Sequence, residues 1–172
     1  MSIIDQIKAR IIELHGTELH FLPQQYGGLG KRELFVSNEV KHDVSPPLPE
    51  TREGIWLEAF RASLDHYSSG RRATLGFNPL KKPPHSMIAR TWHPQIDDIW
   101  DIRSVIADDG IRCFGAWGGY NLFIGLTWEY REGIDFVAET KRARAEWDRL
   151  FPGLDPFVGE TPDHYGSNFV DY

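Results

Sequence analysis

A single cysteine, Cys113, excludes an intramolecular disulfide scaffold. It falls at an apolar position of a strand-like run, so it reads as a small buried hydrophobe rather than a reactive thiol. No apolar run approaches the roughly 18 residues that a membrane-spanning helix needs. The N-terminus lacks the basic start and continuous apolar stretch of a signal peptide, which predicts a cytoplasmic protein. Basic charge is short as well. Lys and Arg number 19 against 25 Asp and Glu, for a net charge of −6. That excludes a protein whose main job is coating nucleic acid, but not a local basic site on an acidic body.

Chemical motifs are also missing. The seven histidines (His15, His20, His42, His66, His85, His93 and His164) form no HExxH or HxH pair. One cysteine cannot complete a structural zinc site, so no metal is expected. No Gly-x-Ser-x-Gly elbow marks a hydrolase. Gly27-Gly-Leu-Gly30 lacks the Gly-Lys-Ser/Thr of a Walker loop and the spacing of a dinucleotide fingerprint. It reads first as a flexible turn and second as a phosphate loop. No cofactor is expected.

What is present supports a sizeable core. Hydrophobic residues make up 41% of the chain, with six Trp and ten Phe, so disorder throughout is excluded. The 172 residues read as one domain, 1–172. It carries an N-terminal helical and loop extension (1–50) and an irregular, aromatic, acidic C-terminal tail (151–172). Ser2-Ile-Ile-Asp5 forms a capping box, and Ile4, Ile7, Ile11 and Leu14 follow at helical spacing, predicting a helix near 3–15. Thr51 opens a second helix near 52–67, with Trp56, Phe60, Leu64 and Tyr67 on one stripe. A third, near 135–150, carries Phe136, Thr140, Ala143, Trp147 and Leu150 on one stripe and mixed charge outside. Leu19–Leu22, Glu33–Ser37 and Met87–Trp92 are short strand candidates.

The strongest signal is Ile111–Trp117 and Tyr120–Leu126 joined by Gly118-Gly119. Two glycines between strand-like runs predict a type I′ hairpin. A two-residue turn there pairs Trp117 with Tyr120, Cys113 with Ile124 and Phe114 with Phe123. Residues 98–106 add a third strand, with Ile106 opposite Ile111. The expected fold class is α+β, an antiparallel sheet of three or more strands (about 98–106, 111–117 and 120–128) packed on these helices. Trp100, Ile102, Cys113, Leu122, Ile124 and Leu126 form its oily face.

The other face carries the candidate site. Arg103 and Arg112 project beside Asp101, Phe114, Phe123 and Asn121. Paired arginines bind phosphate or carboxylate bidentately, and phenylalanines offer a stacking surface. The competing reading is an internal ion pair, Arg103 or Arg112 to Asp101 or Glu129, under a covering helix. Arg71, Arg72, Lys81 and Lys82 form either a basic rim or ordinary loop charge.

Ile99-Trp-Asp-Ile-Arg103 followed by Gly110-Ile-Arg-Cys-Phe114, with helices around them, resembles the core of the RelE/HigB-like toxin superfamily. The resemblance covers about 35 residues. It implies ribosome-dependent cleavage of messenger RNA, with Arg103, Arg112, Lys81, Lys82 and Tyr130 as the catalytic set. Two functions are therefore expected. The first is a macromolecule-binding module using the arginine-aromatic face, with a protein partner and with self-association possible through the N-terminal helix. The second is a ribonuclease toxin with RNA or the ribosome as partner. The net charge of −6 opposes approach to RNA and ranks the module first.

Overall fold

In a computed structural model, residues 1–24, 32–81, 87–104 and 110–171 are described, Asp171 in its backbone only. Among them run α1 (Ile3–Leu14), β1 (Leu19–Phe21), β2 (Glu33–Ser37), α2 (Asn38–Val44), α3 (Arg52–Ser68), β3 (Ala73–Gly76) and β4 (Ile88–Arg90). Then come β5 (Trp100–Arg103), β6 (Ile111–Gly119), β7 (Leu122–Tyr130), α4 (Phe136–Leu150), α5 (Pro162–Tyr165) and β8 (Phe169–Asp171). The three predicted helices are present within a residue or so of their expected ends. Ser2 Oγ accepts from the Asp5 amide, and Asp5 Oδ2 accepts from the Ser2 amide, so the capping box is complete. Thr51 Oγ1 accepts from the Gly54 amide and Asp135 Oδ1 from the Ala138 amide, so each caps its helix from one side. No described helix is long and apolar enough to cross a membrane.

The fold is α+β, but the sheet is mixed rather than antiparallel. Its eight strands lie in the order β1-β2-β7-β6-β5-β4-β3-β8. The predicted β5-β6-β7 core is antiparallel, as are β1-β2 and β4-β5. The β2-β7, β3-β4 and β3-β8 pairs are parallel. Parallel neighbours are joined through distant segments, and pairwise hairpin signals do not report them.

The hairpin register also differs from the expected one. Gly118 and Gly119 lie inside β6, and Tyr120-Asn121 makes the turn, with Asn121 at φ 57°. Asparagine tolerates this left-handed region better than most residues. Bulges fall between Phe114 and Gly115 and between Trp117 and Gly119. Phe123 therefore sits opposite Trp117, and Phe114 opposite Thr127. The shift is four residues at Phe114 but three between the bulges, and the odd part moves Phe123 to the face opposite Phe114. Gly115 is required at the first bulge. A Cβ there would lie 2.1 Å from the Ile124 carbonyl oxygen. Between β5 and β6 the shift is even, with Ile102 opposite Cys113, and the faces survive. Ile106 and the 107–109 part of its turn lie outside the described residues.

Helices cover both faces. On one, Trp100, Ile102, Cys113, Trp117 and Phe123 pack with Val40 and Val44 of α2 and Phe60, Leu64 and Tyr67 of α3. On the other, Phe114, Ala116, Leu122, Ile124 and Leu126 pack with Ile7, Ile11 and Leu14 of α1 and with Ala143, Trp147 and Leu150 of α4. The predicted oily face is thus buried in full but divided between two cores. Cys113 lies in the first, and burial pushes its thiol pKa well above the ordinary range. Segment 1–50 supplies β1, β2 and α2 as well as α1. Segment 151–171, irregular in composition, supplies α5 and the edge strand β8. Its Tyr165 is fully buried, and its hydroxyl donates to the Gly159 carbonyl and accepts from Arg90 Nη2.

Candidate functional site

The end of β5 and the start of β6 bring Asp101, Arg103 and Arg112 onto one sheet face. Alternation places Asp101 and Arg103 on the same side of β5. Register places Asp101 opposite Phe114 and Arg103 opposite Arg112. The Asp101 side chain is fully buried. The Arg103 and Arg112 side chains retain 14% and 11% of their exposure. Both Nε atoms stand 3.3 Å from the same carboxylate oxygen, Asp101 Oδ2.

The two contacts are not equivalent. Arg103 Nε donates a hydrogen bond to Oδ2. Arg112 Nε is close enough for ion pairing but makes no directed hydrogen bond. Asp101 Oδ1 is buried without a hydrogen-bond partner among the described residues. Two guanidiniums thus share one carboxylate, which leaves one positive charge uncompensated within the trio. Burial pulls the Arg112 pKa down to about 10. Asp101 opposes that shift, and the nearby charges of Arg103 and Arg131 add to it. Glu129 lies opposite Arg112 in the ladder, and its Oε1 accepts from the Tyr130 amide.

The other predicted site residues are dispersed. Phe114 shares the arginine face but is fully buried, 6.1 Å from the Phe136 ring of α4. Phe123 is buried on the opposite face, 5.1 Å from Trp117, because of the odd register shift. Neither offers a stacking surface. Asn121 sits at the turn, the far end of the hairpin, where its Oδ1 accepts from the Ser167 amide. Tyr130 pairs with Ile111 and packs on Trp56 and Trp128, on the face away from the arginines. β3 ends toward the Arg90 end of β4, which pairs with Trp100 and lies away from Arg103. Lys81 follows in an exposed turn whose amide donates to the Asn78 carbonyl. Lys82, His85 and Gly27–Gly30 lie outside the described residues.

Two other arginines went unremarked in the sequence. Arg32 is almost wholly buried and donates to the carbonyls of Tyr67, Arg71 and Ser167. Arg90 lies over the Phe77 and Trp100 rings, 4.6 and 5.2 Å from their centroids. Arg90 follows Ile88 at strand spacing, so it points where an apolar residue would. That period is the one signal that marks it. Arg32 has no comparable signal. Charges on α4 also reach further than a solvated face requires: Arg142 pairs with Glu39, Arg149 with Glu18, and Arg144 with Asp98, Asp148 and Asp155.

A cavity of about 850 Å³ beside α3 is lined by Leu48, Ile55, Glu58 and Arg61 among others and shares no residue with the arginine pair. Among the described residues no group of His, Cys, Asp and Glu could hold a metal ion. Comparison with family models, with curated proteins and with solved structures finds no match for this chain.

Proposed function

We propose that this chain is a macromolecule-binding module and that Arg103 and Arg112 are its recognition point. The observation that carries the reading is the sharing of one buried carboxylate by two partly exposed guanidiniums. Asp101 holds both side chains in place, so less conformational entropy is lost when they bind. The uncompensated charge attracts an anion, and arginine presents it with a fork of donors. The aromatic half of the expected surface does not enter this reading, since Phe114 and Phe123 are buried. Tyr130, an assistant in the ribonuclease reading, stands on the face opposite the arginines.

Affinity capture with two baits tests the proposal: the wild-type chain and Arg103→Gln. The substitution removes one charge-assisted hydrogen bond, so about 1–3 kcal/mol of stability is lost and the fold survives. Thermal denaturation of both baits checks this. A macromolecule held by the wild type should be retained about tenfold less by Arg103→Gln. Equal retention of every bound species by two folded baits would overturn the assignment.

A further inference from the structure

Tyr130 stands at the centre of a second surface, on the face away from the arginine pair. α3 supplies Trp56, and β7 supplies Trp128 and Tyr130, which share one side of the strand by alternation. The Tyr130 ring lies 5.5 Å from that of Trp56 and 5.1 Å from that of Trp128, at steep angles of 59° and 81°. All three side chains pack against the first core and are only half-buried. Negative charge collects around them. Burial raises the Tyr130 pKa, and the carboxylates of Glu53, Asp43 and Glu129 raise it further. Asp43 Oδ2 accepts from Trp128 Nε1 at 2.7 Å. A carboxylate at the N–H edge of an indole polarises the ring and makes its face more attractive to a cation. The chain itself uses one such face: the Arg52 guanidinium lies over the Trp56 ring, 4.6 Å from its centre.

We propose that Trp56, Tyr130 and Trp128 receive an arginine side chain from a basic protein segment. This surface is independent of the recognition point proposed for Arg103 and Arg112. A cation on these rings gains from the ring quadrupole and from the carboxylates beside it. Arginine lays a planar guanidinium on an aromatic face, the arrangement Arg52 already adopts, whereas a lysine ammonium is a strongly hydrated point charge. Tyr130 touches both tryptophans, so the rings form a strip rather than a point, which suits a length of chain. The net charge of −6 attracts a segment with several positive charges and repels a nucleic acid.

The test follows the tryptophan Nε1–Hε1 resonances of the full chain in ¹H–¹⁵N spectra while hexaarginine, hexalysine and hexaglutamate are titrated separately. Hexaarginine should shift the Trp56 and Trp128 signals saturably and leave those of the fully buried Trp117 and Trp147 in place. Hexalysine should bind about threefold more weakly, and hexaglutamate should shift none of them. Tyr130→Leu keeps an apolar side chain without a ring and should weaken hexaarginine about fivefold. If that variant fails to fold, Glu53→Gln, at an exposed position of the first turn of α3, carries the test with a loss of about twofold. Still signals at Trp56 and Trp128, an equal response to hexaglutamate, or wild-type affinity in a folded Tyr130→Leu would overturn the proposal. Hexalysine binding as tightly as hexaarginine would overturn the choice of arginine. Trp56 and Trp128 signals that move when the protein alone is diluted would assign the strip to a second copy of this chain and overturn the basic segment as its occupant.

Discussion

Replacing Trp117 with alanine is expected to lower the free energy of unfolding by about 3–5 kcal/mol. The indole is fully buried at the centre of the larger core. Ring centroids lie 5.1 Å away at Phe123 and Tyr165, 5.6 Å at Phe169, and 6.1 Å at Tyr67 and Trp100. These partners come from β7, α5, β8, α3 and β5, so the cavity would open where five elements meet. Trp117 Nε1 is buried without a hydrogen-bond partner among the described residues. Trp117→Phe removes that unpaired donor while keeping a ring, so its cost should stay under about 2 kcal/mol. Urea denaturation of both variants measures the pair. An alanine variant no less stable than the phenylalanine one would show that this cluster is not the core.

Arg32→Ala should cost a similar amount, about 3–5 kcal/mol, for a different reason. Arg32 is 2% exposed and has no carboxylate partner among its described contacts. Its charge is met by carbonyls: Ser167 and Arg71 at 2.8 Å and Tyr67 at 3.1 Å. The guanidinium also lies 4.1 Å from the centre of the Phe169 ring. One side chain thereby fastens the start of β2 to the end of α3 and to the segment leading into β8. Truncation leaves those carbonyls buried and under-satisfied. Arg32→Lys keeps the charge but loses the fork, so it should recover only part of the loss. The amides of residues 167–171 should exchange faster in Arg32→Ala than in the wild type. Unchanged exchange there, or a lysine variant as stable as the wild type, would contradict this role.

The legible parts of the fold were those fixed by local chemistry. Ser2 with Asp5, and Thr51, each cap a helix, and a cap needs only its own first turn. The existence of the 111–130 hairpin was legible for the same reason, but its turn was not. Two glycines satisfy the turn rule better than Tyr120-Asn121, yet tertiary packing uses them elsewhere. A Cβ on Gly118 would lie 3.2 Å from the Ile7 side chain, and one on Gly119 would lie 3.1 Å from Ile4. The glycines let α1 approach the end of β6 closely, and Asn121 accepts the left-handed conformation instead. That contact spans more than 100 residues of chain, so no sequence window contains it. The odd register shift between the bulges followed, and it put Phe114 and Phe123, expected on one face, on opposite faces. The candidate site was legible in its charged half. Asp101, Arg103 and Arg112 meet because the β5-β6 shift is even. The internal ion pair to Asp101, weighed against an open binding face, is present in the structure. The parallel pairs of β2, β3 and β8 had no local signature, because parallel neighbours are brought together by the whole fold.

The most direct measurement is arginine-specific modification by phenylglyoxal, read by mass spectrometry, with and without the macromolecule that the wild-type bait retains. Binding at the recognition point predicts that the partner slows modification of Arg103 and Arg112, while Arg10 on α1 reacts at its free rate. Unchanged rates at Arg103 and Arg112, with slowing at Arg10 instead, would contradict the account and move the interface to the N-terminal helix.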